Sequence, residues 1–319
     1  MEQSHKKKES ETSLADISFN LAGFKMRNPV MLASGILGVT PDIIKRVADA
    51  GAGAMVMKSI SVEPRQGYRN PTIVEVEGGG YVNAVGLSNP GLDVFAEEMR
   101  GLKEKPIPVV ASLFGSTAEE FSHIVSTLES TPVDCYELNL SCPHVEKVGL
   151  EVGQDPVAVS KVVKAAKKAA SRPVLVKISP NLTAPAEIAA AAESAGADAI
   201  TAVNTVRAMV IDVETGQPIL SHRIGGLSGS VIKPIAVRCV YDVSQRVKIP
   251  VIGCGGITTW KDAVEFLLAG ASAVQVGSAV GYRGLGVFSE ITDGIRSYMA
   301  QRGLKNIGEI IGRAHNSSD

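Results

Sequence analysis

Residues 194–205 read SAGADAITAVNT, and this phrase, repeated in outline, decides the architecture. It is a helix end, a glycine, and then a short apolar strand closing on polar residues. The same sentence recurs as DAGAGAMVMKS at 49–59 and LAGASAVQVGSA at 268–279. A glycine just past a helix takes the left-handed cap conformation without steric penalty, so each phrase marks a helix-to-strand junction. Between them lie strands opened by a proline: IPVVASLFG at 107–115, RPVLVKIS at 172–179 and IPVIGCGG at 249–256. NPVMLASG at 28–35 and CYELNLS at 135–141 bring the strand candidates to eight. Helical stretches separate them, among them 117–130, 155–170 and 260–270, several behind a Thr or Asp cap signal. Strands alternating with helices throughout imply a parallel sheet, and eight such units imply a closed (β/α)8 TIM barrel of the α/β class. An open, doubly wound sheet is the structural alternative.

The length of 319 residues suits one barrel, expected over 16–319 behind a polar, disordered tail at 1–15. Charged residues make up 20% and the net charge is −1, with no basic stripe, which argues against nucleic acid as a partner. Cys135, Cys142, Cys239 and Cys254 show no CxxC spacing, so no zinc or iron–sulfur site is expected in this chain. Few cysteines and no signal peptide point to a reducing cytoplasm. The uncharged run 266–282 is punctuated by glycine and reads as helix end, turn and strand rather than a membrane span.

Two connections exceed ordinary barrel loops: residues 60–90, and residues 206–226 with a hairpin expected around Glu214–Gln217. Both follow strands, so both belong on the catalytic side of a barrel. The C-terminal NIGEIIGRAH reads as an extra helix.

Strand parity sends alternate side chains inward, and the polar ones collect at the C-terminal mouth: Lys58, Asn139, Lys177 and Asn204. The strand Tyr136–Leu140 runs into Cys142-Pro143-His144, which places a thiol on a polar loop just past a strand end. Strands 7 and 8 end in Gly255-Gly256 and Gly277-Ser278, and Gly229 opens a helix. Bare amides at these strand ends and at a helix start are where barrels bind phosphate. Two ammoniums, amides, a thiol and a phosphate cradle, without a GxGxxG or P-loop motif, fit flavin mononucleotide (FMN) best. Lys177 is then placed to stabilise negative charge on the reduced ring.

These residues belong to longer phrases: NPVMLASG, KSISVEPRQGYRNPT, NAVGLSNPG, ELNLSCPHV, LVKISPN, VNT, GGLSGSVIKP, VIGCGGI and AVQVGSA. Over 16–313 the chain resembles the class I dihydroorotate dehydrogenases, the cysteine-base flavin barrels of pyrimidine synthesis. NAVGLSNPG and GGLSGSVIKPIAVRCVYDV are most similar to the catalytic subunit of the NAD-linked, two-subunit subclass (class IB); the fumarate-linked class IA is the alternative. The resemblance implies that Cys142 removes the C5 proton of dihydroorotate while hydride leaves C6 for FMN. It implies that Lys58, Asn83, Ala84, Val85, Gly86, Leu87, Asn139, Asn204 and Thr205 hold the substrate. Ser34, Lys58, Ser59, Ser112, Asn139, Lys177, Val203, Gly229, Gly255, Gly256, Gly277 and Ser278 are implied to line the flavin. No metal ligand is implied here; FAD and a [2Fe–2S] cluster are expected on a partner subunit, joined to a homodimer of this chain in a heterotetramer. No membrane or nucleic-acid partner is expected.

The sequence departs from the family pattern at Ser112 (commonly Asn), Ser278 (Thr), Ser230 (Pro) and His144 (Asn). Three rival chemistries fit parts of the chain. They are a phosphate-sugar lyase with a Schiff base on Lys177, a cysteine hydrolase using Cys142 and His144, and a non-catalytic sensor of phosphate ligands.

Overall fold

The computed structural model describes residues 15–38, 40–140 and 152–316. Among these residues eight parallel strands close into a barrel: β1 Val30–Leu32, β2 Ala54–Val56, β3 Val109–Leu113, β4 Cys135–Asn139, β5 Val174–Ile178, β6 Ala199–Ala202, β7 Val251–Cys254 and β8 Ala273–Val276. Each pairs with its neighbours in sequence, and β8 returns to β1 through Val274↔Val30 and Val276↔Leu32. The closed barrel, not the open sheet, is the fold.

The outer layer is built from α1 Pro41–Asp49, α2 Leu92–Arg100, α3 Ala118–Leu128, α4 Pro156–Ala169, α5 Pro185–Ser194, α6 Lys233–Arg246, α7 Trp260–Leu268, α8 Ala279–Arg283 and α9 Val287–Gln301. The cap signals act as expected: the Thr117 hydroxyl accepts from Glu120 N–H, and the Asp155 carboxylate accepts from Val157 N–H. Gly51, Gly196 and Gly270 end three helices with φ near +100°, a conformation that any side chain would strain.

The hydrophobic core has two parts. Between strands and helices, residues such as Phe95, Phe121, Phe266 and Phe288 are fully buried. Inside the barrel, Met31, Val110, Leu175 and Ile252 fill the lower layer, and a hairpin of Phe19–Leu21 with Phe24–Met26 plugs it from below with Leu21, Phe24 and Met26. The barrel is therefore closed at its N-terminal end, and its cavity opens at the other.

The two long connections combine in a way their sequences do not announce. Ile73–Val76 and Gly80–Asn83 form a hairpin; Val206–Met209 and Ile224–Gly229 join it in one four-stranded antiparallel sheet over the mouth. The expected hairpin at 214–217 is present as Ile211–Asp212 paired with Gln217–Pro218. The C-terminal stretch is not an extra α-helix. It forms two short 3-10 turns, Ile307–Glu309 and Arg313–Asn316, held by local bonds such as Ile310 N–H to Ile307 C=O, and between them Gly312 N–H leaves the stretch to bond Leu267 C=O. His315 meets the Ser244 hydroxyl at 3.0 Å, which seats this segment against the α6–α7 side of the barrel.

Helices α6 and α7 are also tied by a half-buried ion pair. Lys233 Nζ lies 2.8 Å from Asp262, and Asp262 accepts from Thr258 and Thr259 as the partner of a capping box. Burial acts to raise the Asp262 carboxyl, but Lys233 and these donors together hold it at about 2. A carboxylate whose folded pKa lies below its unfolded value stabilises the protein above about pH 4 and loses that contribution as pH falls toward about 2. Asp262→Asn is therefore expected to lower stability at pH 7, with the deficit against the unsubstituted protein shrinking between about pH 4 and about pH 2. Chemical denaturation across that range measures it.

Candidate active site

Each strand's inward parity can be read directly from the mouth. On β4, Cys135 lies in the lower apolar layer, Glu137 above it, and Asn139 at the rim; on β5, Leu175 is followed by Lys177. One cavity of about 700 Å³ opens here between the strand ends and the four-stranded sheet, within the size range of small-molecule sites. Of the described residues expected in the site, all but Ser112 line it. Cys142 and His144 lie outside the described residues.

A chain of hydrogen bonds crosses the floor. The Ser59 and Ser112 hydroxyls meet at 2.8 Å, Asn139 Nδ2 donates to Ser59 Oγ at 3.3 Å, and Asn204 Nδ2 donates to Asn139 Oδ1 at 3.2 Å. Asn204 Oδ1 in turn accepts from Thr205 N–H at 2.8 Å. Residues on β3 and β4 and just past β2 and β6 thus fix the orientation of two amides. Ser112 is fully buried behind Ser59, so it acts on the cavity by holding that hydroxyl rather than by lining it.

The two lysines have different surroundings. Burial pushes the Lys58 ammonium below its usual value. Burial also acts to lower Lys177, but the Cys254 sulfur and the Glu137 carboxylate outweigh it and leave Lys177 above its usual value. Lys177 Nζ donates to Gln275 Oε1 at 3.0 Å and lies 3.9 Å from Glu137 Oε1. The cavity floor therefore carries a fixed cation at Lys177, and it favours a ligand with anionic character above it.

The glycine end of the cavity is a cradle shaped by backbone. A Cβ on Gly229 would meet Gly79 O at 2.3 Å, and one on Gly256, at φ +78°, would meet Lys233 Cβ at 2.7 Å and Gly229 O at 2.9 Å. Side chains are excluded, so backbone amides line the turn before α6, the geometry that suits a phosphate. The residues present thus fit a phosphate-bearing planar group: a nest at one end, oriented amides and cations along the floor, and apolar Val203, Ile232 and Ile257 on the walls.

On the opposite wall, Asn83–Leu87 lines the cavity. Gly86 and Leu87 have positive φ, and Asn83 Nδ2 donates to Gly226 C=O at 3.2 Å. Residues not anticipated from the sequence also line it, notably Asn181, Arg207, His222, Arg223 and Cys254. Parity along β7 marks Cys254 as inward, and Asn181 ends the phrase LVKISPN; Arg207 comes from the sheet, and His222 and Arg223 from the connection into its strand Ile224–Gly229, whose pairing no local pattern reveals.

A parallel barrel closed below, with a phosphate cradle and a cationic polar floor at its C-terminal mouth, defines the chain as a barrel for a phosphate-bearing planar cofactor and a small anionic ligand. Comparison with known proteins makes this specific. Residues 16–299 match the family described as Dihydroorotate dehydrogenase. A Pyrococcus abyssi protein named dihydroorotate dehydrogenase B (NAD(+)), catalytic subunit, is 52% identical over 299 residues, covering 93% of this chain and 99% of its own. Proteins of the same name from Thermococcus kodakarensis and Methanocella arvoryzae are 49% and 47% identical, covering 95% and 94% of this chain and 99% and 98% of theirs. The chain belongs to the dihydroorotate dehydrogenase family.

A methyl group at the cradle tests its role. Gly256→Ala is expected to weaken FMN binding at least about tenfold, some 1.4 kcal/mol, while circular dichroism stays that of the folded barrel. Quenching of FMN fluorescence on titration reads the affinity.

Proposed function

We propose that the mouth of this barrel holds FMN and dihydroorotate together, with Cys142 as the general base. The chain is an FMN-dependent dihydroorotate dehydrogenase, oxidising dihydroorotate to orotate in pyrimidine biosynthesis. The observation that carries the site assignment is the cavity itself, where the glycine cradle, Lys177 and the Asn139–Asn204 pair face one space.

FMN, when bound, supplies the acceptor for the hydride that leaves C6. Gly229, Gly255, Gly256, Gly277 and Ser278 hold its phosphate; Ser34, Ser59, Asn139, Lys177 and Val203 flank its ring, and Ser112 supports Ser59 from behind. The charge of Lys177 favours electron density beside it. Lys58, Asn83–Leu87, Asn139, Asn204 and Thr205 hold the dihydroorotate ring and carboxylate. The amide chain across the floor fixes that ring before reaction, so little reorganisation is left for the chemical step.

The base comes from the loop after β4. Cys142 follows β4 by three residues in the sequence. The loop's two ends are joined where Gly153 N–H bonds Leu140 C=O at 3.1 Å. Leu140 and Gly153, which bracket the segment carrying Cys142 in sequence, thus meet just past Asn139. A thiolate there takes the C5 proton, and the sheet over the mouth limits water.

Electrons must then leave. The sequence carries no dinucleotide fingerprint, and the relatives are named as NAD(+)-linked catalytic subunits. These features support electron transfer to NAD through a second subunit. We place FAD and a [2Fe–2S] cluster on that subunit, and a homodimer of this chain at the centre of a heterotetramer.

Cys142→Ser is expected to keep FMN bound, with its visible spectrum intact, and to lower turnover about 10²- to 10⁴-fold at neutral pH. With the thiol in place, kcat/KM for dihydroorotate rises with pH through the cysteine titration, ordinarily near about 8.5. A rate unchanged by the substitution, or a profile flat from pH 6 to 9, contradicts the assignment of the base.

A further inference from the structure

Glu137 stands halfway up β4 at 0% exposure, one layer above apolar residues, and it does not line the cavity. An ionisable group in such a place is costly unless its charge is compensated. Its Oε2 accepts from Thr201 Oγ1 at 2.8 Å and from Gln275 Nε2 at 2.7 Å. Its Oε1 has no hydrogen-bond partner among the described residues and lies 3.9 Å from Lys177 Nζ, too far for a hydrogen bond but near enough for a strong charge interaction in a dry interior. Gln275 closes the triangle: its amide nitrogen donates to Glu137 while its oxygen accepts from Lys177. β4, β5, β6 and β8 each contribute one residue to this network.

Two titratable groups act on Lys177: Cys254 on β7 and Glu137 on β4. Lys58, on the segment after β2, lines the same cavity. Burial pushes the Cys254 thiol up, so at neutral pH it is an uncharged neighbour. Glu137 is the carboxyl group that faces Lys177, 3.9 Å from its Nζ.

We propose that Glu137 is a positioning residue for the dehydrogenase reaction: its buried carboxylate is the counter-ion that keeps Lys177 charged at the cavity floor, and Gln275 is the spacer that stops the ammonium from collapsing onto it. The spacing matters because direct contact would turn the ammonium down into the barrel. Held by Gln275 instead, Lys177 stays charged and still lines the mouth. The use of that charge rests on the flavin reading above; the existence of the pair does not.

Melting of the flavin-free protein from about pH 6 to about pH 10 tests the pair, in a Cys254→Ser background so that no thiol beside Lys177 titrates. Glu137→Gln and Lys177→Met are each expected to lower the melting temperature at pH 7, and the double substitution E137Q/K177M to regain most of the loss. In E137Q the folded-state pKa of Lys177 falls below its unfolded value. Its penalty is then full at low pH and fades as pH rises toward about 10, so the gap between E137Q and E137Q/K177M narrows with pH. Losses that add in the double substitution, or a gap that does not change with pH, overturn the proposal. If E137Q alone is insoluble while the double folds, the same ordering is met; if K177M folds and the double does not, the proposal fails.

A second readout addresses the flavin. Lys58 loses charge over this range in every variant, so the comparison is relative: FMN affinity of E137Q is expected to fall at least about tenfold further with pH than that of wild type or E137Q/K177R. A profile for E137Q parallel to that of wild type overturns the role of Glu137 in holding the charge. Loss of FMN binding by every variant, wild type included, would instead count against the flavin reading and leave the melting result to decide the pair.

Discussion

Closure of eight parallel strands is the constraint on which the rest depends. Once β8 pairs with β1, every strand must send alternate side chains into one narrow interior. The lower layers are filled by Met31, Val110, Leu175 and Ile252 and sealed by the N-terminal hairpin. Polar groups can then be accommodated only where they find partners or water, which is toward the C-terminal mouth. Lys58, Asn139 and Lys177 are there because the strands that carry them leave no other outlet.

What lies between the apolar floor and the open mouth is a layer of buried polar groups, each compensated by a neighbour on another strand. Glu137, Thr201, Gln275 and Lys177 bond one another, and Ser112, Ser59, Asn139 and Asn204 form the layer above. A single substitution in such a network leaves a partner stranded in low dielectric, where an unmet polar group costs about 1–3 kcal/mol. The same rigidity lets these groups meet a ligand without first rearranging. The sheet over the mouth completes the enclosure.

Much of this was legible in the sequence, for identifiable reasons. The Ala-Gly-Ala junctions are local: a glycine at φ near +100° after a helix is fixed by its own backbone, as Gly51, Gly196 and Gly270 show. Strand parity is local too, so the inward placing of Asn139 and Lys177 followed from spacing alone. The joining of 73–83 to 206–229 in one sheet was not legible, because pairing between residues more than 140 positions apart, such as Asn83 and Gly226, leaves no short-range pattern; Arg207, His222 and Arg223 entered the cavity unannounced with it. Ser112, expected at the flavin from the family resemblance alone, is buried behind Ser59 instead of lining the cavity. The C-terminal stretch was read as a helix, yet Gly312, at φ +70°, turns its N–H to Leu267 of α7 and splits the stretch into two 3-10 turns. The partners of Glu137 could be found only once the barrel had closed.

The central claim is that this mouth transfers hydride from dihydroorotate to FMN. The most direct test is the visible spectrum of the FMN-loaded protein, recorded without oxygen before and after dihydroorotate is added. The account predicts that the flavin bands bleach as orotate absorbance appears. Bands that persist at saturating dihydroorotate, in protein that retains its FMN, would contradict it.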